Sequence, residues 1–97
     1  MKKFAYLMMG RTLIPQKHRA EFDTGIKVGI YTVRNPQEAR EKVLELKNDG
    51  FGMIELCGAF GRDFALELIA ITNGEVAIGY SVNEPEQDEL IRRFFGK

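Results

Sequence analysis

The chain has 97 residues, with 14 lysines and arginines against 14 aspartates and glutamates, and this length suits one small domain. A domain so short buries only about two-thirds or less of its unfolded surface, so it folds with little margin. The balanced charge argues against a nucleic-acid partner, whose binding surface carries a basic excess or stripe.

The apolar run from Phe4 to Met9 is shorter than the ~7–15 residues of a signal-peptide core, and no small-residue cleavage site follows it. No stretch approaches the ~20 apolar residues that cross a bilayer. The single Cys57 cannot close an intrachain disulfide. These features predict a soluble, cytoplasmic protein without a membrane partner.

Phe4–Met9 is apolar on both alternating faces, which predicts a strand covered on two sides. Arg11–Lys17 has no period and contains Pro15, so it reads as a connection. His18–Phe22 and Ile26–Val33 then resemble two strands joined at Asp23-Thr-Gly25. The first arm is polar enough to be either an edge strand or a loop, and residues 11–25 could equally form a lid.

Asn35-Pro36-Gln37-Glu38 is a helix start: a capping side chain, a proline at the first helical position, and Glu38 where a capping box needs it. The helix runs to about Asn48 and stops at Gly50. Gly50–Asp63 organises the chain: a turn, a buried central strand Met53–Cys57, a glycine-bracketed turn, and a second helix from Asp63 to about Thr72. That helix is apolar nearly all round and needs a second cover. Val76–Val82 reads as the last strand, and Asn83-Glu84-Pro85-Glu86 as the start of a last helix reaching Phe94-Phe95. The pattern Y-[TS]-V-x-x-P occurs at Tyr31–Pro36 and Tyr80–Pro85, two solutions of one strand-to-helix problem.

This alternation predicts an α/β fold: a single small domain over residues 1–97, with a mostly parallel sheet of four to five strands and about three helices. Helix starts at Asn35, near Gly61 and at Asn83 would then share one edge of the sheet, where open α/β sheets bind ligands.

Lys3-Phe-Ala-Tyr-Leu-Met-Met-Gly10, Lys17-His-Arg-Ala20, Tyr31-Thr-Val-Arg-Asn35, Ile54-Glu-Leu-Cys-Gly-Ala-Phe-Gly61 and Pro85-Glu-Gln-Asp88 together resemble a family of small microbial proteins known as a domain of unknown function. The resemblance covers nearly the whole chain. It implies a short cytoplasmic α/β domain and carries no activity, cofactor or catalytic residue with it.

Candidate chemistry therefore rests on residue types. Glu55 and Cys57, two apart on a strand, face one side. A carboxylate in an apolar strand has the raised pKa of a general acid or base, or is satisfied by backbone N–H groups or an arginine. Cys57 is a candidate nucleophile with His18 as its partner, set against an inert buried thiol and a surface histidine. One histidine and one cysteine make no metal site, and no motif names a cofactor.

Gly58, Gly61 and Arg62 could cradle an anion at a helix N-terminus, with Glu55, Tyr80 and Asn83 converging there and Arg11 or His18 folding over from the connection. The spacing is neither a P-loop nor a dinucleotide fingerprint. Two functions follow from different classes. One is a small-molecule site at the carboxyl edge, taking an anionic ligand, with enzymatic use left open. The other is a homo-oligomeric module in which the Asp63–Thr72 helix and Phe94-Phe95 form the interface. Redox sensing through Cys57 stands well behind both.

Overall fold

The computed structural model describes residues 1–96. Strands β1 (Lys3–Met9), β2 (Ala20–Asp23), β3 (Lys27–Val33), β4 (Met53–Leu56) and β5 (Ala77–Tyr80) form one sheet in the order β2-β3-β1-β4-β5. All neighbours are parallel except β2, an antiparallel edge strand on β3. Helix α1 (Pro36–Asn48) joins β3 to β4, and α2 (Gly61–Ile71) joins β4 to β5. A 3-10 turn at Pro85–Gln87 leads into α3 (Asp88–Phe95). This is the expected α/β domain with a mostly parallel sheet. No helix is long and apolar enough to cross a membrane among the described residues.

The cap of α1 forms largely as read. Asn35 is extended, and its Oδ1 accepts from the Glu38 N–H at 2.9 Å. The Glu38 carboxylate does not return to Asn35. It accepts instead from the Arg34 backbone N–H at 2.9 Å and from the Arg34 guanidinium at 2.6 Å, so the box closes one residue early. At the other end Gly50, at φ +90°, reverses the chain, and the Phe51 N–H donates to the Leu46 carbonyl at 3.0 Å. The end of α2 uses the left-handed pair Asn73 and Gly74, beside Thr72, whose hydroxyl donates to the Leu68 carbonyl at 2.9 Å.

Four sequence-based boundaries or placements need correction. The middle strand is β1, not the Met53–Cys57 segment, although β4 is paired on both sides. The ladder of β4 ends at Leu56, one residue short of Cys57. β5 occupies only Ala77–Tyr80 of the expected Val76–Val82. The last helix begins after the 3-10 turn and not at Asn83, because the extended backbone at Glu84 precedes Pro85.

The larger correction concerns layers. The register aligns Ala5 with Gly29 and Ile54, and Leu7 with Tyr31 and Leu56. That face is buried against Ala39, Val43 and Leu46 of α1 and Ala65 and Leu68 of α2. An ion pair between Arg40 and Glu67 ties the helices together, and the Arg40 guanidinium lies 5.1 Å from the centroid of the Phe64 ring.

The opposite face presents Phe4, Tyr6, Met8, Val28, Ile30 and Met53, with Phe22 on the edge strand, and neither α1 nor α2 lies on it. Met8 and Met53 are 38% and 39% exposed and Phe22 is 51% exposed. The expectation that β1 is covered on two sides therefore fails. α2 also keeps Leu66 in water, and α3, which buries none of its residues, does not fold back over it.

Two glycines mark how closely side chains lie on the sheet. A Cβ on Gly29 would sit 2.4 Å from the Tyr31 ring, and one on Gly79 would sit 2.2 Å from the Glu55 carboxylate. The ring is held on several sides and cannot yield, whereas the carboxylate can swing into solvent. Gly29→Ala is expected to lower stability by about 1–3 kcal/mol, and Gly79→Ala by clearly less. Chemical denaturation of the two variants checks this ordering.

Candidate functional site

Residues 10–19 form no helix and instead wrap the carboxyl end of β3. The Gly10 N–H donates to the Val33 carbonyl at 3.0 Å, and the Thr32 hydroxyl donates to the His18 carbonyl at 2.8 Å. His18 is exposed and structural: its Nδ1 accepts from the Ile14 N–H at 2.8 Å while its own N–H returns to the Ile14 carbonyl. Between this connection, the end of β3 and α1 lies a cleft of about 420 Å³. Its walls carry Arg19, Arg34 and Lys42 together with Glu38, Glu41 and Glu45, and Tyr31 lines its inner side.

Tyr31 is the anchor of this wall. Its ring lies back over Gly29, meets the edge of Phe51 with centroids 6.0 Å apart, and has the Lys42 ammonium 4.5 Å and the Arg19 guanidinium 5.2 Å from its centroid. The hydroxyl donates to Glu21 Oε2 at 2.7 Å. Glu21 is also paired with Arg19 at 2.9 Å and more loosely with Lys27 at 3.6 Å. Burial, then the bond to Glu21, pushes the Tyr31 pKa up to about 12. The hydrogen bond from Tyr31, with Arg19 and Lys27 nearby, holds Glu21 below the usual carboxylate range. Arg34 does the same to Glu38 through its hydrogen bonds. At neutral pH Tyr31 is therefore protonated, while Glu21 and Glu38 are ionised. These groups present fixed hydrogen bonds and charges.

The residues singled out from sequence separate into four places. Glu55 lies on the open face, its carboxylate over Gly79, and has no hydrogen-bond or ion-pair partner among the described residues. Cys57, past the end of the ladder, packs on the core cluster, so it does not share a side with Glu55; His18 stands with the connection at β3. Tyr80 is partly buried against the same core.

Gly58, Gly61, Arg62 and Asn83 lie at the carboxyl edge of β4 and β5, all exposed. Gly58 adjoins the Ser81 carbonyl, and Gly61 opens α2 at φ +74°. The first turn of α2 already carries Asp63, which occupies the electrostatic position an anion would take. Arg11 is exposed in the connection. Arg19, Arg34 and Lys42 were not anticipated. The signal that could have found two of them is the proximity of Arg34 to the strand end and the placement of Lys42 two turns along the helix that follows.

The family model described as a family of unknown function, DUF6506, matches residues 2–96. The chain belongs to the DUF6506 family. No curated protein and no solved structure matches it. DUF6506 membership agrees with the resemblance read from the sequence and assigns no chemistry, so the cleft must be read from its own residues.

Tyr31 supplies a direct check on this geometry. Its raised pKa means that the folded state favours the neutral phenol. The associated stability is fully present below the unfolded value of 10 and is lost as pH rises through about 12. Ultraviolet titration of the three tyrosines is expected to show one ionising near 12. Glu21→Gln should lower that value yet leave it above the ordinary one, because burial is the larger cause.

Proposed function

We propose that this DUF6506 domain binds a small molecule bearing one acidic group and at least one hydrogen-bond donor, in the cleft at the carboxyl end of β3. The observation that carries this reading is the meeting of three cations and three carboxylates around a buried tyrosine, at the ligand-binding edge of a parallel sheet. Its volume falls within the ~300–1,000 Å³ usual for small-ligand sites.

The balance of charge in the lining disfavours a polyanion and favours a compact ligand with groups of both kinds. Arg34 is paired with Glu38, and Lys42 with Glu45, in pairs open to water. Such pairs are worth only about 0–1 kcal/mol, so a ligand carboxylate or phosphate can take the place of either glutamate. Gln16 and Glu41 then stand ready for the donors of the same ligand. Glu38 and Tyr31 keep their protonation states through the physiological range, which suits recognition.

The open sheet face favours a second reading, a homo-oligomeric module. It is compatible with the first, because α1 and the cleft occupy the other side of the sheet.

A thermal-shift panel of amino acids, small hydroxy acids and sugar phosphates, followed by calorimetry, tests the cleft. At least one class is expected to stabilise the protein. Arg34→Ala and Lys42→Met should each weaken its binding about tenfold or more, as expected for a lost charge-assisted hydrogen bond. Binding that instead depends on Arg62 would move the site to the β4 edge, and a panel without any shift would sink the reading.

A further inference from the structure

The chain carries two unsatisfied apolar surfaces that match each other. On α3, Leu90, Ile91, Phe94 and Phe95 recur at i, i+1, i+4 and i+5 and form one stripe, with Asp88, Glu89, Arg92 and Arg93 around the rest. Phe94 is 82% and Phe95 68% exposed. Eight residues are too few for a helix to persist on its own propensity, and within the chain α3 packs on the 3-10 turn before it. The other surface is the open sheet face, with Phe4, Tyr6, Met8, Ile30 and Met53. It continues at its amino end into a groove of about 310 Å³ lined by Met1, Phe4, Ile26 and Met53 together with Lys2 and Lys3. Parallel sheets are ordinarily covered on both faces.

We propose that two copies of this chain pair through the open face, each laying its α3 stripe on the other's sheet. Dimensions favour a second copy over α3 folding back on its own sheet. An eight-residue helix is about 12 Å long, whereas five strands span roughly 24 Å, so one α3 from either chain covers only part of a face, and only a second copy also brings a sheet face to cover the rest. A second copy brings a helix and a sheet face together. The exposed parts of these side chains amount to roughly 600–800 Å² per copy, close to the ~800 Å² per partner of a stable interface.

Charge agrees as well. Glu55 is the one charged strand residue on the open face. On α3 the Arg93 guanidinium pairs with Glu89 beside the apolar stripe and is 69% exposed. Arg93, in the last turn of the helix, thus brings a cation to a face whose one strand charge is Glu55.

Sedimentation equilibrium and light scattering at micromolar concentration test this on the whole chain. The wild type should have twice the 11.0 kDa mass of one chain. Phe94→Ser with Phe95→Ser should weaken pairing about a hundredfold while circular dichroism still shows a folded sheet with α1 and α2, since both side chains are exposed in the single chain. Met8→Lys with Met53→Lys should also give a monomer by spoiling the face. Mixing the two double variants should recover a heterodimer through the one contact left whole, an intact helix on an intact face. A monomeric wild type overturns the proposal. So does a Phe94→Ser/Phe95→Ser chain that remains a dimer, or a mixture that stays monomeric.

Discussion

The handedness of two crossovers decides most of this structure. β1 takes β3 on one side and β4 on the other, so the connection from β3 through α1 to β4 must pass over β1. The next connection, from β4 through α2 to β5, moves across the sheet in the same direction. Connections between parallel strands are right-handed in nearly all proteins. Two right-handed steps in one direction put both helices on one face, and the Arg40–Glu67 pair and the Arg40–Phe64 contact show them there. The step from β1 to β3 goes the other way, and a helix in it would have covered the second face. It is made instead by residues 10–19 and the edge strand β2.

The same absent helix makes the cleft. The connection crosses the carboxyl end of β3 and leaves a gap beside α1, where a helical crossover would have turned away. The wall of that gap depends on one glycine. Glu21 pairs directly with Gly29 across the antiparallel ladder, while Tyr31 stands two residues further along β3. Only a residue without a Cβ at position 29 lets the ring lie back and carry its hydroxyl to Glu21. Burial of the ring, its contacts with Lys42 and Arg19 and its bond to Glu21 thus share one geometric cause.

The elements were legible in the sequence because local signals carry them. Asn35 and Pro36 start α1, Gly50 stops it, Asn73 and Gly74 stop α2, and the apolar periods of Ile26–Val33 and Met53–Leu56 are short and clean. The layer count was not legible, because a run such as Phe4–Met9 is equally apolar whether its second face meets a helix or nothing in the same chain. The cleft was hidden for a related reason. Its walls come from residues 15–19, 31–34 and 38–45, and what joins them is the Thr32–His18 and Tyr31–Glu21 bonds, which have no local signature. The glycines at 58 and 61 drew notice because their signal is local. The conformation of Gly61 serves the turn into α2, whose first position it occupies at φ +74°.

Glu55 shows how far the open face restricts what can cover it. A carboxylate among Phe4, Tyr6, Met8, Ile30 and Met53 costs nothing unusual while water reaches it, and the missing Cβ of Gly79 lets it lie along the sheet. Once a second surface excludes that water, the same carboxylate becomes expensive unless a donor arrives with the covering surface. A purely apolar partner would leave a buried charge unpaired, a penalty of several kcal/mol by order of magnitude. In the proposed pairing the hydrophobic residues supply the contact, and Glu55 favours a surface that combines an apolar stripe with a cation. Exposed apolar sheet faces invite indiscriminate association, and a carboxylate among the apolar side chains of this one narrows what can cover it.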